Sequence, residues 1–404
     1  MIQYPKKKSF IDYVVIFILL ISISSTSTLC YNIFYLILSL IFIASIAIFR
    51  KKLLSKYIWL IVLYFVLIDI TATIYIHGNY NINRLFNYLY PVLLGYFTIT
   101  ALGQKTFSLL EKVIYILSCI SLPLYVLQIV NLSFIESFSS IFGGFVAEPL
   151  RYGNSWYAFI FSYCDPRVDL GYTRNSGFMW EPGAFSFVLI VFLVYRLMQN
   201  GFSLRDSHVI IYLMALITTF STSGYIALFF IIIAYAFLSK SALTKMIVVL
   251  LMVLFVPILY NAEFMSGKIS EYIENTKAFS YSEHEDATIE FNRYLYFWYV
   301  LEQLFRFPLG YGSHDVMLNN SKVVSPNGLA EFIYHWGIIG FVAVFGLVYK
   351  FIKKINSKLL HIKPLICILL ACAIFSVTFS NPVDNNILFY LILLFPMHNK
   401  ISCI

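Results

Sequence analysis

Long apolar runs alternate with short polar segments from one end of the chain to the other. A helix needs about 20 apolar residues to cross the hydrocarbon core of a bilayer, and many of the runs approach that length. The strands of a membrane barrel would instead alternate apolar and polar residues. The pattern predicts an all-α polytopic membrane protein with about twelve transmembrane helices. The predicted spans are residues 10–26, 31–49, 57–76, 84–101, 108–130, 178–198, 208–222, 224–239, 246–260, 329–349, 364–380 and 385–397.

The composition of the chain excludes a water-soluble fold. Of the 404 residues, 60% are hydrophobic and 12% are charged, whereas a soluble domain carries about twice that charged fraction. The first apolar run follows three lysines, as in a signal peptide. No small-residue cleavage site follows it, so we interpret it as an uncleaved first helix. We therefore expect residues 1–404 to form a single integral membrane domain.

The distribution of charge predicts the orientation of the helices. If the N-terminus is cytoplasmic, 19 of the 28 Lys and Arg residues fall on the cytoplasmic side, in agreement with the positive-inside rule. Of the 20 acidic residues, only Asp12, Glu111 and Asp206 fall there. The formal net charge of +8 then reflects membrane topology, and we expect no nucleic-acid partner. Both termini are expected to be cytoplasmic.

Two long segments, residues 131–177 and 261–328, are expected to be loops on the outer face. Both mix charged and aromatic residues with Gly, Pro and Asn, unlike a disordered linker, and long ordered loops often carry function. In the second loop, the uncharged core of residues 290–307 is too short to cross a bilayer. We predict an interfacial helix there, because Trp and Tyr favour the headgroup level. A weaker amphipathic stretch, residues 134–146, predicts another in the first loop.

One corner of the first loop is dense in residues with special properties. It reads Arg174-Asn175-Ser176-Gly177-Phe178-Met179-Trp180-Glu181-Pro182-Gly183. Arginine binds phosphate through two parallel hydrogen bonds, and Arg174 and Arg293 each lie beside a helix start at the predicted membrane surface. We predict that these two arginines bind an anionic lipid-linked substrate; the alternative is that they extend to lipid headgroups. Glu181 is interpreted as part of a helix start that orients Arg174.

The second loop and the span after it carry the candidate proton acceptors. Pro308-Leu309-Gly310-Tyr311-Gly312-Ser313-His314-Asp315 contains two glycines that permit a tight turn or a close backbone approach to a ligand. Asn327, Glu331 and His335 are spaced i, i+4, i+8 and therefore share one helical face. Ionisable residues at that depth are functional candidates, and a polar contact between helices is the alternative. We take His314, Glu331 and His335 as candidate general bases.

Other polar residues receive more modest interpretations. Asp69 is an acid inside the third span, and we expect it to pair with Arg84 at the start of the next one. His284 and its acidic neighbours are interpreted as a solvated loop in preference to a divalent-ion site. The six cysteines show neither metal-ligand nor disulfide spacing. We expect no metal and no cofactor.

Together these features resemble the bacterial O-antigen polymerase family (Wzy-type), with the O-antigen ligases as a related family. The resemblance covers twelve spans with both ends inside and two dominant outer loops. The chain departs from the family pattern because Pro326 precedes Asn327, where members often have a histidine; His314 or His335 would then take that role. The motifs that carry the resemblance are Arg174…Gly177…Glu181-Pro182, Arg293 before an aromatic helix leading to Pro308-Leu309-Gly310-Tyr311-Gly312, and Asn327-Gly328…Glu331…Gly337-Ile338-Ile339-Gly340.

The resemblance implies an inverting, metal-independent glycosyltransferase of GT-C-like architecture, acting at the periplasmic face of the bacterial inner membrane. It would polymerise oligosaccharide repeat units linked to undecaprenyl diphosphate. Arg174 and Arg293 would hold the diphosphate, and His314, Glu331 or His335 would accept the proton of the acceptor hydroxyl. The supporting residues would be Glu181, Asn327 and Arg84. Membrane lipids and a polysaccharide chain-length regulator are the other implied partners.

Three alternatives stay open. An O-antigen ligase would use similar donors and transfer the glycan to the lipid A core. A lipid-linked oligosaccharide flippase or another transporter would show internal repeats and paired helix breaks, and the prolines in the spans do not occur in matching pairs. A receptor or assembly scaffold would leave the face formed by Asn327, Glu331 and His335 unexplained.

Overall fold

The computed structural model describes residues 9–26, 28–50, 56–76, 82–140, 156–157, 160–163, 173–239, 241, 246, 289–290, 293–315, 317–318, 321–324, 327–356, 362–379 and 386–400. Thirteen α-helices contain most of these described residues. Their bounds are α1 (Phe10–Ser24), α2 (Ile33–Phe49), α3 (Lys56–Tyr75), α4 (Ile82–Leu102), α5 (Lys105–Val130), α6 (Leu132–Ser140), α7 (Pro182–Asn200), α8 (Ser207–Thr218), α9 (Thr222–Leu238), α10 (Arg293–Arg306), α11 (Gly328–Ile355), α12 (Pro364–Thr378) and α13 (Ile387–Leu394). Two 3-10 helices, Thr28–Tyr31 and Phe395–Lys400, follow α1 and α13.

Eleven of the twelve predicted apolar segments coincide with helices to within a few residues. The remaining one, 246–260, lies outside the described residues except for Met246. Five of the described helices, α3, α4, α5, α7 and α11, are long and apolar enough to cross a membrane. Six others, α1, α2, α8, α9, α12 and α13, are apolar and shorter. The chain is an all-α membrane protein.

Both predicted loop regions contain structure of their own. Helix α10 lies within the predicted interfacial segment 290–307, and α6 covers the first half of the segment 134–146. Among the described residues of these regions there are also five short strands: β1 (Trp156–Tyr157), β2 (Ser162–Tyr163), β3 (Ile289–Glu290), β4 (Met317–Leu318) and β5 (Ser321–Val324). Strands β1 and β2 pair antiparallel, and β5 lies between a parallel β3 and an antiparallel β4. No strand was predicted, because segments of two to four residues show no periodicity.

Helix α7 is the most buried of the five long apolar helices that the structure describes. Its residues from Pro182 to Val194 are all buried, and it packs against α8, α9, α11 and α12. Glu181 provides an extended N-cap, Pro182 occupies the first helical position, and Gly201 ends the helix with a φ of 72°. These are favourable residues for a helix start and stop. Favourable residues therefore mark both ends of this buried helix.

Charged and polar contacts join helix ends at one end of the bundle. We call it the opposite end, because it lies opposite the candidate site described below. Arg50, just after α2, pairs with Asp12 of α1 at 2.7 Å and donates to the Ala101 carbonyl of α4 at 3.0 Å. Gln199 of α7 donates to the Ile355 carbonyl of α11 at 2.7 Å. Helices α7 and α11 therefore end on the same side, and we call the other side, where both helices begin, the site end.

Helix α11 contains a break that the sequence analysis did not predict. Residues 329–349 were expected to form one regular span, but Gly337 has a φ of 67° and a ψ of −175°, which are not helical. An L side chain adopts that region only with strain, whereas glycine adopts it readily. The expectation of a continuous helix was therefore wrong at this position. The break lies ten residues into a 28-residue helix.

Candidate functional site

Residues 307–315, which we call the docking loop, pack their backbone against the break in α11. The Tyr311 N–H donates to the Tyr334 carbonyl at 2.8 Å, and the Gly312 N–H donates to the His335 carbonyl at 2.9 Å. In return, the Ile338 N–H donates to the Pro308 carbonyl at 3.2 Å. Backbone groups freed in the middle of a helix need such partners when they are buried. The loop thus replaces hydrogen bonds that the helix has lost.

Three glycines make this close approach possible. A Cβ atom on Gly337 would clash with the Pro308 carbonyl oxygen, and one on Gly310 would lie 2.5 Å from the Gly337 nitrogen. A Cβ atom on Gly312 would lie 2.7 Å from the Asp69 Cα atom. All three glycines have positive φ. The glycines of residues 308–315 were expected to permit a tight turn or a close approach to a ligand; the close approach that the structure contains is to the protein's own backbone.

The docking loop also binds to α3 through its last residues. The buried Asp69 carboxylate accepts a hydrogen bond from the Ser313 N–H at 2.6 Å. One turn later on α3, the Thr73 hydroxyl lies 2.8 Å from Nε2 of His314. The His314 side chain is buried, with 7% of its surface exposed. Two consecutive loop residues are therefore held by two residues on the same face of one helix.

Charged groups surround His314 on several sides. Arg84, near the start of α4, forms an ion pair with Asp315 at 3.2 Å; our expectation had paired Arg84 with Asp69. Burial lowers the pKa of the His314 imidazole below its ordinary value, and Arg84 and His335 act in the same direction, whereas Asp69 and Asp315 oppose it. The neutral imidazole is thus favoured at neutral pH. A buried, neutral histidine is the form that a general base requires.

His335 is also buried, in the turn of α11 that precedes the break, and 2% of its surface is exposed. Its Nε2 atom lies 3.5 Å from the Tyr88 hydroxyl of α4, and the two rings meet edge to face. Its carbonyl accepts from Gly312, as described above. The contact with Tyr88 is the polar contact between helices that we set against a catalytic role. His335 therefore stabilises the packing of α11 against α4 and the docking loop. His314 is the stronger candidate for a general base.

Three further candidate site residues, Asn327, Glu331 and Arg293, lie at or near the N-terminal ends of helices. The Asn327 side chain caps α11 by accepting from the Ala330 N–H at 3.2 Å, and 1% of the residue is exposed. Glu331 lies in the first turn of α11 and is half-buried. Arg293 is the first residue of α10, and its side chain lies outside what the structure describes. Asn327 is thus a helix cap first, and Glu331 stays a candidate base.

Arg174 lies at a second corner of the site end, between the start of α7 and the α8–α9 turn. Its Nε atom donates to the Thr219 carbonyl at 3.3 Å, and 9% of the residue is exposed. Asn175 donates to the Thr218 hydroxyl at 2.9 Å, and its side-chain oxygen accepts from the Gly177 N–H at 2.9 Å. Glu181 is a buried N-cap residue, 5% exposed. Hydrogen bonds from Arg174 and Asn175 thus connect this corner to the end of α8.

Sequence reasoning missed several residues of the His314 environment. Asp315 was noticed only as part of a glycine-containing motif, and Thr73 and Tyr88 were not considered. The signal that could have found Thr73 is its spacing of four from Asp69, an acid inside a predicted span. Among the residues that the structure describes, no group of three His, Cys, Asp or Glu side chains is arranged to hold a metal. The acidic segment around His284 lies outside the described residues.

The fold and this site define an all-α membrane protein with buried ionisable residues gathered at one end of its helices. Comparisons of the chain with protein-family models and with curated proteins find no match.

Proposed function

We propose that the protein is an O-antigen polymerase, a glycosyltransferase that works at the periplasmic face of the bacterial inner membrane. Its substrates would be oligosaccharide repeat units linked to undecaprenyl diphosphate. Its product would be the O-antigen of lipopolysaccharide, or a related capsular polysaccharide or exopolysaccharide. A chain-length regulator protein would act beside it.

One observation carries this proposal: His314 and Arg84 meet at the end of the membrane helices. The buried imidazole of His314, whose pKa burial lowers, would be the proton acceptor. The Arg84 side chain nearby is 44% exposed, so its guanidinium can take part in binding a diphosphate while it pairs with Asp315. Transfer from a lipid diphosphate needs a base and a cationic group in one place. The motifs quoted above add the resemblance to the polymerase family.

Twelve membrane spans with both termini in the cytoplasm belong to the same proposal. The contacts between helix ends support the alternation of the spans. The ends of α1, α2, α4 and α5 that meet near Asp12 and Arg50 are all expected on the cytoplasmic side. The ends of α3, α4 and α11 that meet near His314 are all expected on the periplasmic side. Each group of contacts joins ends that the charge distribution assigns to one side.

In the proposed reaction, a hydroxyl oxygen of the acceptor sugar attacks the anomeric carbon of the donor glycan. The new glycosidic bond forms as the bond from that carbon to the diphosphate oxygen breaks, and the electron pair leaves with the diphosphate. The hydroxyl proton passes to His314. Arg84, Arg174 and Arg293 would stabilise the charge that develops on the diphosphate. Holding both lipid-linked sugars in one cavity would supply much of the remaining acceleration.

Deleting the gene in its host distinguishes this proposal from the alternatives. A polymerase deletion leaves single repeat units, whereas a ligase deletion leaves polymer on the lipid carrier. A flippase deletion leaves no glycan at the outer face. The break in α11 is a feature that transporters share. Here, however, the freed groups of Tyr334, His335 and Ile338 are bonded to the docking loop, as a packed structure requires.

The proposed role of the two arginines is tested by Arg174→Ala and Arg293→Ala, with polymer length observed on a gel. We expect both variants to make shorter polymer, because each loses a cationic group at the diphosphate. Arg306→Ala is a matched control on the same helix as Arg293. Arg306 forms an exposed pair with Glu302, so its loss should leave the polymer unchanged. Normal expression with full-length polymer from both test variants would contradict the diphosphate role.

A further inference from the structure

The Thr73 hydroxyl lies between two groups that can share hydrogen bonds with it. Its oxygen is 2.7 Å from the Asp69 carbonyl oxygen, one turn earlier on α3, and 2.8 Å from Nε2 of His314. A hydroxyl has a single hydrogen to donate, and its lone pairs can accept. The directions of these two bonds therefore determine where the imidazole carries its proton.

A carbonyl oxygen can only accept, so the Thr73 hydrogen must point to the Asp69 carbonyl for the 2.7 Å contact to be a hydrogen bond. Threonine in a helix commonly donates back to the carbonyl four residues earlier. The hydroxyl oxygen then accepts from His314, and Nε2 must be the protonated nitrogen. The reverse assignment would place two oxygen atoms 2.7 Å apart with no hydrogen between them. The neutral ring consequently has its lone pair on Nδ1.

We propose that Thr73 is a positioning residue that holds His314 in the Nε2-protonated tautomer, so that Nδ1 accepts the proton in the glycan transfer proposed above. This inference rests on the proposed function for the role of Nδ1, and on geometry alone for the tautomer. The Nδ1 lone pair forms the new N–H bond as the acceptor O–H bond breaks. Thr73 itself does not touch the substrate.

Asp69 completes the arrangement from the same helix face. Its carboxylate binds the Ser313 N–H at 2.6 Å, which fixes the backbone immediately before the histidine. Its carbonyl accepts from the Thr73 hydroxyl, which in turn holds the imidazole ring of His314. When Nδ1 takes up a proton, the negative charge of Asp69 favours the imidazolium that results. One turn of α3 thus positions the base and stabilises its protonated form.

The experiment combines nuclear magnetic resonance with transfer assays on three variants. Thr73→Val removes the hydroxyl while keeping the shape, and Thr73→Ser restores the hydroxyl. Thr71→Val is the matched control, because Thr71 is exposed on the same helix and its hydroxyl donates only to a carbonyl, that of Ile68. The full chain, labelled with nitrogen-15 and carbon-13 histidine, is studied in lipid bilayers above pH 7, where neutral histidine predominates. The His314 signals among the seven histidines are assigned by their loss in His314→Gln.

We expect wild type, Thr73→Ser and Thr71→Val to show His314 protonated on Nε2, and Thr73→Val to show a mixture of tautomers. Glycan transfer should fall at least about tenfold in Thr73→Val, because the wrong tautomer cannot accept the proton, and should return in Thr73→Ser. An Nδ1-protonated wild type would overturn the proposal. So would a Thr73→Val variant with full transfer activity.

The spectra need no glycan substrate, so the two proposals fail differently. A wild-type protein with the expected tautomer but no glycan transfer would overturn the proposed function and the role of Nδ1. The role of Thr73 in setting the tautomer would still be decided by whether Thr73→Val shows the mixture of tautomers.

Discussion

The site end of the molecule has two corners, and they are built differently. The predicted residues of the Arg174 corner come from one short stretch of sequence, and Arg174 and Asn175 donate to the Thr219 carbonyl and the Thr218 hydroxyl. The His314 corner is assembled from α3, α4, α11 and the docking loop, and it gathers ionisable side chains. In sequence, the first corner attracts attention and the second contains only a weak glycine motif. A high local density of special residues therefore marks a corner built from one short stretch, while the candidate base lies where segments distant in sequence meet.

The glycines of the two corners show the same difference. At the Arg174 corner, a Cβ atom on Gly177 would meet the ring of Phe185 at 2.6 Å. At the His314 corner, a Cβ atom on Gly337 would meet the backbone of residues 308 and 309. A ring can turn or shift, whereas two hydrogen-bonded backbone segments cannot separate without losing their bonds. A substitution of glycine at the His314 corner should accordingly destabilise the protein more than one at the Arg174 corner.

The largest expected effect is the loss of glycan transfer when His314 is replaced. His314→Gln keeps a polar side chain of similar size but removes the proton acceptor, so the rate of glycan transfer should fall by about 10²- to 10⁴-fold. His335→Gln should lower the rate less, because His335 contributes mainly contacts to Tyr88 and the loop. The measurement is polymer formed per unit time by equal amounts of folded protein. A greater loss for His335→Gln would reverse the roles that we assign.

The next effect is on stability at the break. Gly337→Ala adds a Cβ atom against the Pro308 carbonyl at a φ of 67°, and should cost about 3 kcal/mol or more of the free energy of unfolding. Gly346→Ala is the control on the same helix, because a Cβ atom there meets nothing within 4 Å. Thermal unfolding in detergent measures both. Equal melting temperatures for the two variants would contradict the account of the docking loop.

A smaller loss is expected at the other corner. Gly177→Ala combines a positive φ with a contact to the Phe185 ring, which can move, and should cost about 1 to 2 kcal/mol. The same unfolding measurement applies. If Gly177→Ala lowers the free energy of unfolding more than Gly337→Ala does, our account is wrong. It says that a new Cβ atom is tolerated better against a side chain than against backbone.

The smallest effect concerns pH. Transfer should need neutral His314, so its rate should rise with pH through the pKa of that residue, which burial lowers. Arg84→Gln removes a positive charge that helps to lower this pKa, so the acidic limb of the rate profile should move to higher pH. Asp315→Asn removes a negative charge that raises it, so the limb should move to lower pH. If the acidic limb moves in the same direction in both variants, the proposed effect of the charges of Arg84 and Asp315 on the pKa of His314 is wrong.

The sequence predicted the helices well because their pattern is local. Apolar runs, the Glu181-Pro182 start and the Gly201 stop are all visible within a few residues. The break at Gly337 is not visible, since the residues that compensate for it lie in the docking loop and glycine alone does not require a break. The contact between Thr73 and His314 joins positions 241 residues apart. No local pattern reports such a pair, so the sequence alone could reduce the candidates for the proposed general base to three residues and no further.

The most direct test of the central claim uses the purified full chain in proteoliposomes. The substrate is a lipid-linked repeat unit extracted from a strain that lacks this gene, and the products are separated on a gel. The account predicts a ladder of repeat-unit multiples from the wild-type protein, and only single repeats from an equally stable His314→Gln variant. A full ladder from His314→Gln, or no ladder from the wild-type protein, would contradict it.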